Sequence, residues 1–242
     1  MTKGQWFRML IILLIVWTVS SLWIDNSIIL PRPDAVFLTM YHQALSSTLY
    51  YSLMLTIFRV FFSLSLSFGL ALFFAFLFFR YNKAAVYFHQ ILLFLRSIPN
   101  VTFIILLLFW VNRELSVTVV AFLLLFPIFY QNIYEALCEI QKTWKDVLKI
   151  YPQGFKTRCR TLYFPLLKNA VVTSWITCSS LAFKVVVMAE ILASVSAGVG
   201  SNMQFARLNV DLVGVFAWTI WLLICVSLFN KLLKNILFRI YE

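Results

Sequence analysis

Residues 135–165 read EALCEIQKTWKDVLKIYPQGFKTRCRTLYFP. The stretch is charged and helix-patterned, and Pro152, Gln153 and Gly154 break it in the middle. On both sides the chain is apolar over lengths that suffice to cross a bilayer. Composition fixes the context. Of 242 residues, 62% are hydrophobic and 12% charged, with a mean hydropathy of +0.91. A soluble domain carries roughly 25% charged residues. The stretch is therefore read as a basic loop displayed at a membrane face.

Working outward, the apolar segments predict six spans in one transmembrane domain over residues 1–242. The first, about 9–24, has the charged start and apolar core of a signal sequence. It shows no clear cleavage site, so an uncleaved anchor helix is expected. The second ends at Arg80, and its pattern reaches back to about 47. That is roughly 50 Å of helix at 1.5 Å per residue, longer than a hydrocarbon core of about 30 Å. The third is about 86–111 with Pro99 inside it, the fourth 115–134, the fifth about 169–192 and the sixth about 212–229. In the tail, Leu232, Leu233, Ile236, Leu237 and Ile240 share one face of an expected interfacial helix.

The net charge of +11 does not point to nucleic acid, because the basic residues sit in short loops between spans. With the N-terminus inside, fourteen are cytoplasmic, among them Arg80, Lys83, Lys142, Lys145, Lys149 and Lys156; three, Arg32, Arg113 and Arg207, are external. That asymmetry predicts cytoplasmic termini and a cytoplasmic 135–165 segment. Cys138, Cys159, Cys178 and Cys225 have no CxxC spacing, which favours neither disulfide nor zinc.

Inside the segment, Thr143 and Asp146 form a Thr-x-x-Asp box that predicts a helix start. Trp144, Val147, Leu148 and Tyr151 then fall on one apolar face. Pro152 and Gly154 stop that helix. A second short helix is expected from Phe155 to Tyr163, with Pro165 introducing the fifth span. Such a hairpin suits membrane lipids, with lysines on anionic headgroups, and equally a cytoplasmic protein whose groove takes the apolar face.

Four stretches carry a resemblance: LPRPDAV at 30–36, LTIFRVFFSLSLSFGLAL at 55–72, FLRSIPNVTFIILLLFWV at 94–111 and VVVMAEILASVSAGVG at 185–200. In this order, with the 138–165 loop between the last two, they resemble permease subunits of binding-protein-dependent ABC importers of the nitrate/sulfonate/taurine-type branch. In the loop, Asp146, Val147 and Leu148 take the places of that family's Glu-Ala-Ala motif, and Pro152 that of its glycine. The resemblance implies an all-α type I permease of the bacterial inner membrane, working as a pair, with a homodimer expected. It implies a cytoplasmic ABC ATPase dimer docked at Thr143, Trp144, Asp146, Val147, Leu148, Tyr151, Pro152 and Gly154. It also implies an external substrate-binding protein.

No phosphate-binding loop of the G-x-x-x-x-G-K-[ST] type and no H-E-x-x-H occurs in the sequence. ATP hydrolysis is therefore expected in a separate subunit, and no cofactor or metal is called for. In the fifth span Asn169, Thr173, Thr177, Ser180 and Lys184 fall in one stripe roughly 80° wide. A polar stripe ending in a lysine is costly against lipid, although small hydroxyl residues also serve plain helix contact. The expected translocation path comprises Arg96, Thr173, Thr177, Ser180, Lys184 and Glu190. If Lys184 faces the path, its charge favours a small solute that is anionic or partly anionic. Snorkelling is the competing expectation for Arg96, and the favoured one for Arg59. Ser63, Ser67, Ala71 and Ala75 form a small-residue ridge expected at a helix contact. The rival function is a membrane scaffold that recruits a cytoplasmic partner through the basic loop without transport.

Overall fold

Ser46 caps a 34-residue helix, its hydroxyl accepting from Thr48 N at 3.2 Å, and the helix then runs unbroken from Ser47 to Arg80. This is the expected second span. The computed structural model describes residues 3–150 and 152–241. It is 87% helical, with no strand among the described residues. In chain order the helices are α1 (Lys3–Ile24), α2 (Pro33–Ala44), α3 (Ser47–Arg80), α4 (Asn82–Ser97), α5 (Asn100–Leu107), α6 (Arg113–Thr143), α7 (Lys145–Ile150), α8 (Phe155–Arg158), α9 (Phe164–Ala193), α10 (Val199–Leu208) and α11 (Leu212–Tyr241). Four stretches are long and apolar enough to cross a membrane: Ser47–Arg80, Arg113–Thr143, Phe155–Ala193 and Leu212–Ile236. The bent pair α4–α5 makes a fifth if it counts as one span. The described apolar part of α1, Ile11–Ile24, is shorter.

The core is α3, α6 and α9. The small-residue ridge packs as expected: Ser63, Ser67, Ala71 and Ala75 are wholly buried. Ser63 and Ser67 Oγ approach the carbonyls of Thr118 and Phe122, each at 3.4 Å. Both pairs ascend in number, so α3 and α6 run parallel. Two consecutive parallel spans require the chain between them to return across the same thickness, and α4–α5 makes that return. The contact of Asn132 with Ser174 at 3.1 Å, against that of Glu190 with Arg59 at 2.6 Å, makes α9 antiparallel to both. Asn230 beside Ser179 and Trp218 packed with Val199 reverse the direction again in α11.

The return is not the straight span that 86–111 suggests. Its two helices meet at 90°. Ile98, just before Pro99, is extended at φ −75°, ψ 129°, the conformation that a following proline imposes. Phe88 stacks on Phe78 at 4.3 Å and meets Tyr130 edge-on at 5.0 Å, fixing α4 to the ends of α3 and α6.

The 135–165 segment also departs from its expected form. Thr143 does not cap a helix. It is the last residue of α6, and its hydroxyl donates to Glu139 O at 2.9 Å. The apolar pattern of α6 carries on past the expected end at 134, so the turn falls at Trp144 instead. The second short helix is not separate either. From α8 it passes through a π-helical turn, Cys159–Tyr163, directly into α9. Phe164 N there bonds Cys159 O. This widened turn takes the place of the regular bonding that Pro165, without an N–H, cannot join. The tail is likewise continuous with α11, and of Leu232, Leu233 and Ile236 only Leu233 is buried. The side chains of Leu237 and Ile240 lie outside the described residues.

Both basic loops lie at one end of the core. The Arg80 guanidinium sits over the Phe155 ring at 5.6 Å, and Phe79 meets Tyr163 edge-on at 5.2 Å. Arg113 and Arg207 belong to the opposite end, where α6 begins and α10 finishes.

Candidate functional site

Three groups of polar or exposed residues stand out from the apolar helices. The first is the loop between α6 and α9. No residue of α7 is buried. Trp144 is 39% exposed, Val147 46% and Ile150 71%, while Leu148 is half-buried. Trp144, Val147 and Leu148, with Gln153, Arg158, Thr161 and Leu162, line a groove of about 260 Å³. Arg158 Nε donates to Gln153 O at 2.6 Å and holds the turn shut. Asp146 is exposed and pairs with Lys149 at 3.2 Å. Pro152 and Gly154 are exposed; Tyr151 lies outside the described residues. A tryptophan at the turn and aliphatic side chains on the six-residue helix that follows it are anchor chemistry for a protein groove.

The second group is the stripe on α9. Asn169, Thr173, Thr177 and Lys184 are all exposed, and Ser180 is half-buried. Ser180 Oγ accepts from Asn230 Nδ2 at 3.0 Å, and Ser179 Oγ donates to Asn230 Oδ1 at 2.6 Å. Asn230 thus ties α11 to the edge of the stripe. Nothing in its sequence neighbourhood marks it, because its role depends on how α11 packs. Among the described residues no carboxylate lies within ion-pair distance of Lys184.

The third group surrounds Glu190, expected on the path and found wholly enclosed. Arg59, expected to snorkel, is only 6% exposed, because two carboxylates hold it inside. Its Nη1 donates to Glu190 Oε1 at 2.6 Å and to Ala197 O at 2.9 Å. Its Nη2 bonds Glu114. Thr56 Oγ1 donates to Glu190 at 2.9 Å and accepts from Val199 N at 3.0 Å. Gly200 N donates to Glu190 Oε2 at 2.8 Å. The carboxylate therefore serves the first turn of α10, whose amide groups lack partners within the helix. Ser196 adds its N–H and hydroxyl to Glu114, at 2.9 and 2.7 Å. The loop from α9 to α10 is folded onto this cluster: Ser194 is left-handed at φ 48° and Gly198 sits at φ 145°. The glycines at 198 and 200 were the available signal. Each stands where a side chain would meet the Glu190 carboxyl group.

Arg96, the remaining expected path residue, is exposed and bonds Gln131 of α6. It is brought together with none of the α9 stripe. It lies in a separate cavity between α4 and α6.

This architecture fits an all-helical membrane protein with an exposed amphipathic loop at one end and a buried ionic cluster at the other. The chain matches no protein-family model, and no curated protein matches it.

Proposed function

We propose that this chain is the permease subunit of an ATP-driven ABC importer of the bacterial inner membrane. Two copies would enclose the path, an ATPase dimer would dock on α7, and an external binding protein would deliver the solute. The observation that carries this reading is α7. It is a short helix with no buried side chain, held between two long spans and presenting Val147 to solvent beside the exposed Trp144 of the preceding turn. The continuous run from Phe155 to Ala193 supports it further, since it joins the docking loop to the span that bears the polar stripe. An exposed Lys184 in an apolar environment is costly. A second copy facing α9 would turn the stripe into the wall of a water-filled path, with Lys184 favouring an anionic or partly anionic solute. α1 would be the sixth span.

Replacing Trp144 and Leu148 together with Ser tests the reading. Full burial of each apolar side chain is worth about 1.5–3 kcal/mol. The double variant is expected to insert into the membrane at the wild-type level and to lose its ATPase on purification. Retention of a stoichiometric ATPase would sink the docking assignment.

Orientation has its own test. Single cysteines at Lys83, Lys156 and Asn112, in a chain without the four native cysteines, are treated with a membrane-impermeant thiol reagent on intact cells. Only the residue-112 cysteine is expected to label. Labelling at 156 would invert the topology.

A further inference from the structure

Between α4 and α6 a half-enclosed cavity of about 220 Å³ is lined by His89, Arg96, Tyr130, Gln131, Tyr134 and Glu135 among others. Its two charges are held apart in an unusual way. Arg96 bonds the side-chain oxygen of Gln131, and the same amide donates through Nε2 to Glu135 Oε1 at 2.7 Å. One neutral amide thus stands between a guanidinium and a carboxylate. Among the described residues neither charge has an ion-pair partner. Beside them is a wall of three rings. His89 meets Tyr134 edge-on at 4.6 Å and Tyr130 at 5.5 Å, and Tyr130 Oη lies 3.0 Å from His89 Nε2. Pro127, within α6, also lines the cavity and brings no N–H to it.

We propose that this cavity binds a small zwitterion. Its acidic group would take the Arg96 guanidinium, a charge-assisted contact. Its ammonium would lie against the partly open Tyr134 ring, since aromatic rings attract cations through their faces, and close to the exposed Glu135. The two unpaired charges of opposite sign, one amide apart, are what select a dipolar ligand over a simple anion or cation. The cavity lies below the common range of about 300–1,000 Å³ for drug-sized ligands, so the dipole is compact. Two sources share this chemistry: a free solute, and the headgroup of a zwitterionic phospholipid. For a transport role the proposal rests on the importer reading, in which the cavity would be a second solute site, apart from the α9 stripe. Binding itself does not depend on that reading.

Glycine betaine is the probe. The purified full chain, without any ATPase, is placed in nanodiscs of phosphatidylglycerol, and saturation-transfer NMR follows the probe's methyl signal. Saturable binding is expected. Arg96→Gln and Glu135→Gln should each weaken it at least about tenfold, equivalent to about 1.4 kcal/mol. Leu93→Trp fills the cavity from an exposed position without altering charge, and should abolish binding even if a charge variant fails to fold. Displacement of the probe by phosphatidylethanolamine added to the nanodiscs identifies the headgroup as the source; no displacement identifies a free solute. Absence of saturable binding, a loss confined to one of the two charge variants, or undiminished binding in Leu93→Trp overturns the proposal. Because no ATPase is present, failure here leaves the α7 docking test untouched, and failure there leaves this one untouched.

Discussion

Replacing Glu190 with Leu is expected to destabilise the chain by about 3–5 kcal/mol, the usual cost of removing one partner of a buried ion pair. The carboxylate is wholly buried and accepts from Arg59, Thr56 and Gly200 N. Without it, Arg59 keeps Glu114, which is 45% exposed and therefore well screened. The first turn of α10 loses its acceptor, and a buried unpaired N–H carries its own penalty. Thermal unfolding of the purified protein in detergent measures the loss. The pairing itself is read from a double-mutant cycle with Arg59→Met. Removing both charges should cost less than the sum of the two single changes, because the second removal no longer strands a partner. Strict additivity would mean that the 2.6 Å contact contributes nothing of its own.

Gly200→Val should be comparably severe, for a steric reason. A Cβ at residue 200 would lie 2.6 Å from Glu190 Cβ and 2.6 Å from the Val187 carbonyl oxygen. The second neighbour is backbone and cannot swing away, so α10 must withdraw from α9. That withdrawal breaks the Gly200 N–Glu190 bond at 2.8 Å and loosens Arg59 in turn. Gly69→Ala is the control, since a Cβ there meets nothing within 4 Å. The expected outcome is a strongly lowered melting temperature for Gly200→Val and a value near wild type for Gly69→Ala. Equal melting of the two would mean that α10 is not held against α9 in the way described.

Much of the helical framework was legible because lipid-length apolar runs and the small-residue spacing from Ser63 to Ala75 depend on local sequence alone. The bend at Pro99 was half legible. The proline marks an interruption, but only the parallel packing of α3 on α6 shows that the chain must turn there and return. The cap at Thr143 was misread because a Thr-x-x-Asp box looks the same at the end of one helix as at the start of the next. What decided it was the reach of α6, which stays helical to Thr143. Arg59 and Glu190 were visible as charges, yet 131 positions separate them, and several other basic residues stood at similar depth. Their pairing belongs to tertiary structure. The α9 stripe was readable as a periodicity; its exposure on the single chain could only be seen once α6 and α11 had taken up the other faces.

The unbroken run from Phe155 to Ala193 has a mechanical consequence. At 1.5 Å per residue, its 39 residues form a rod of about 58 Å. One end is pinned by the Arg80–Phe155 contact and the other by Glu190 through Arg59. A displacement of the loop therefore has a continuous helical route to the far end of α9. The one compliant joint is the π-helical turn at Cys159–Tyr163, where the hydrogen-bond ladder is already out of its regular spacing. The stiffness of that single turn sets how much of any displacement crosses the bundle and how much is lost as bending.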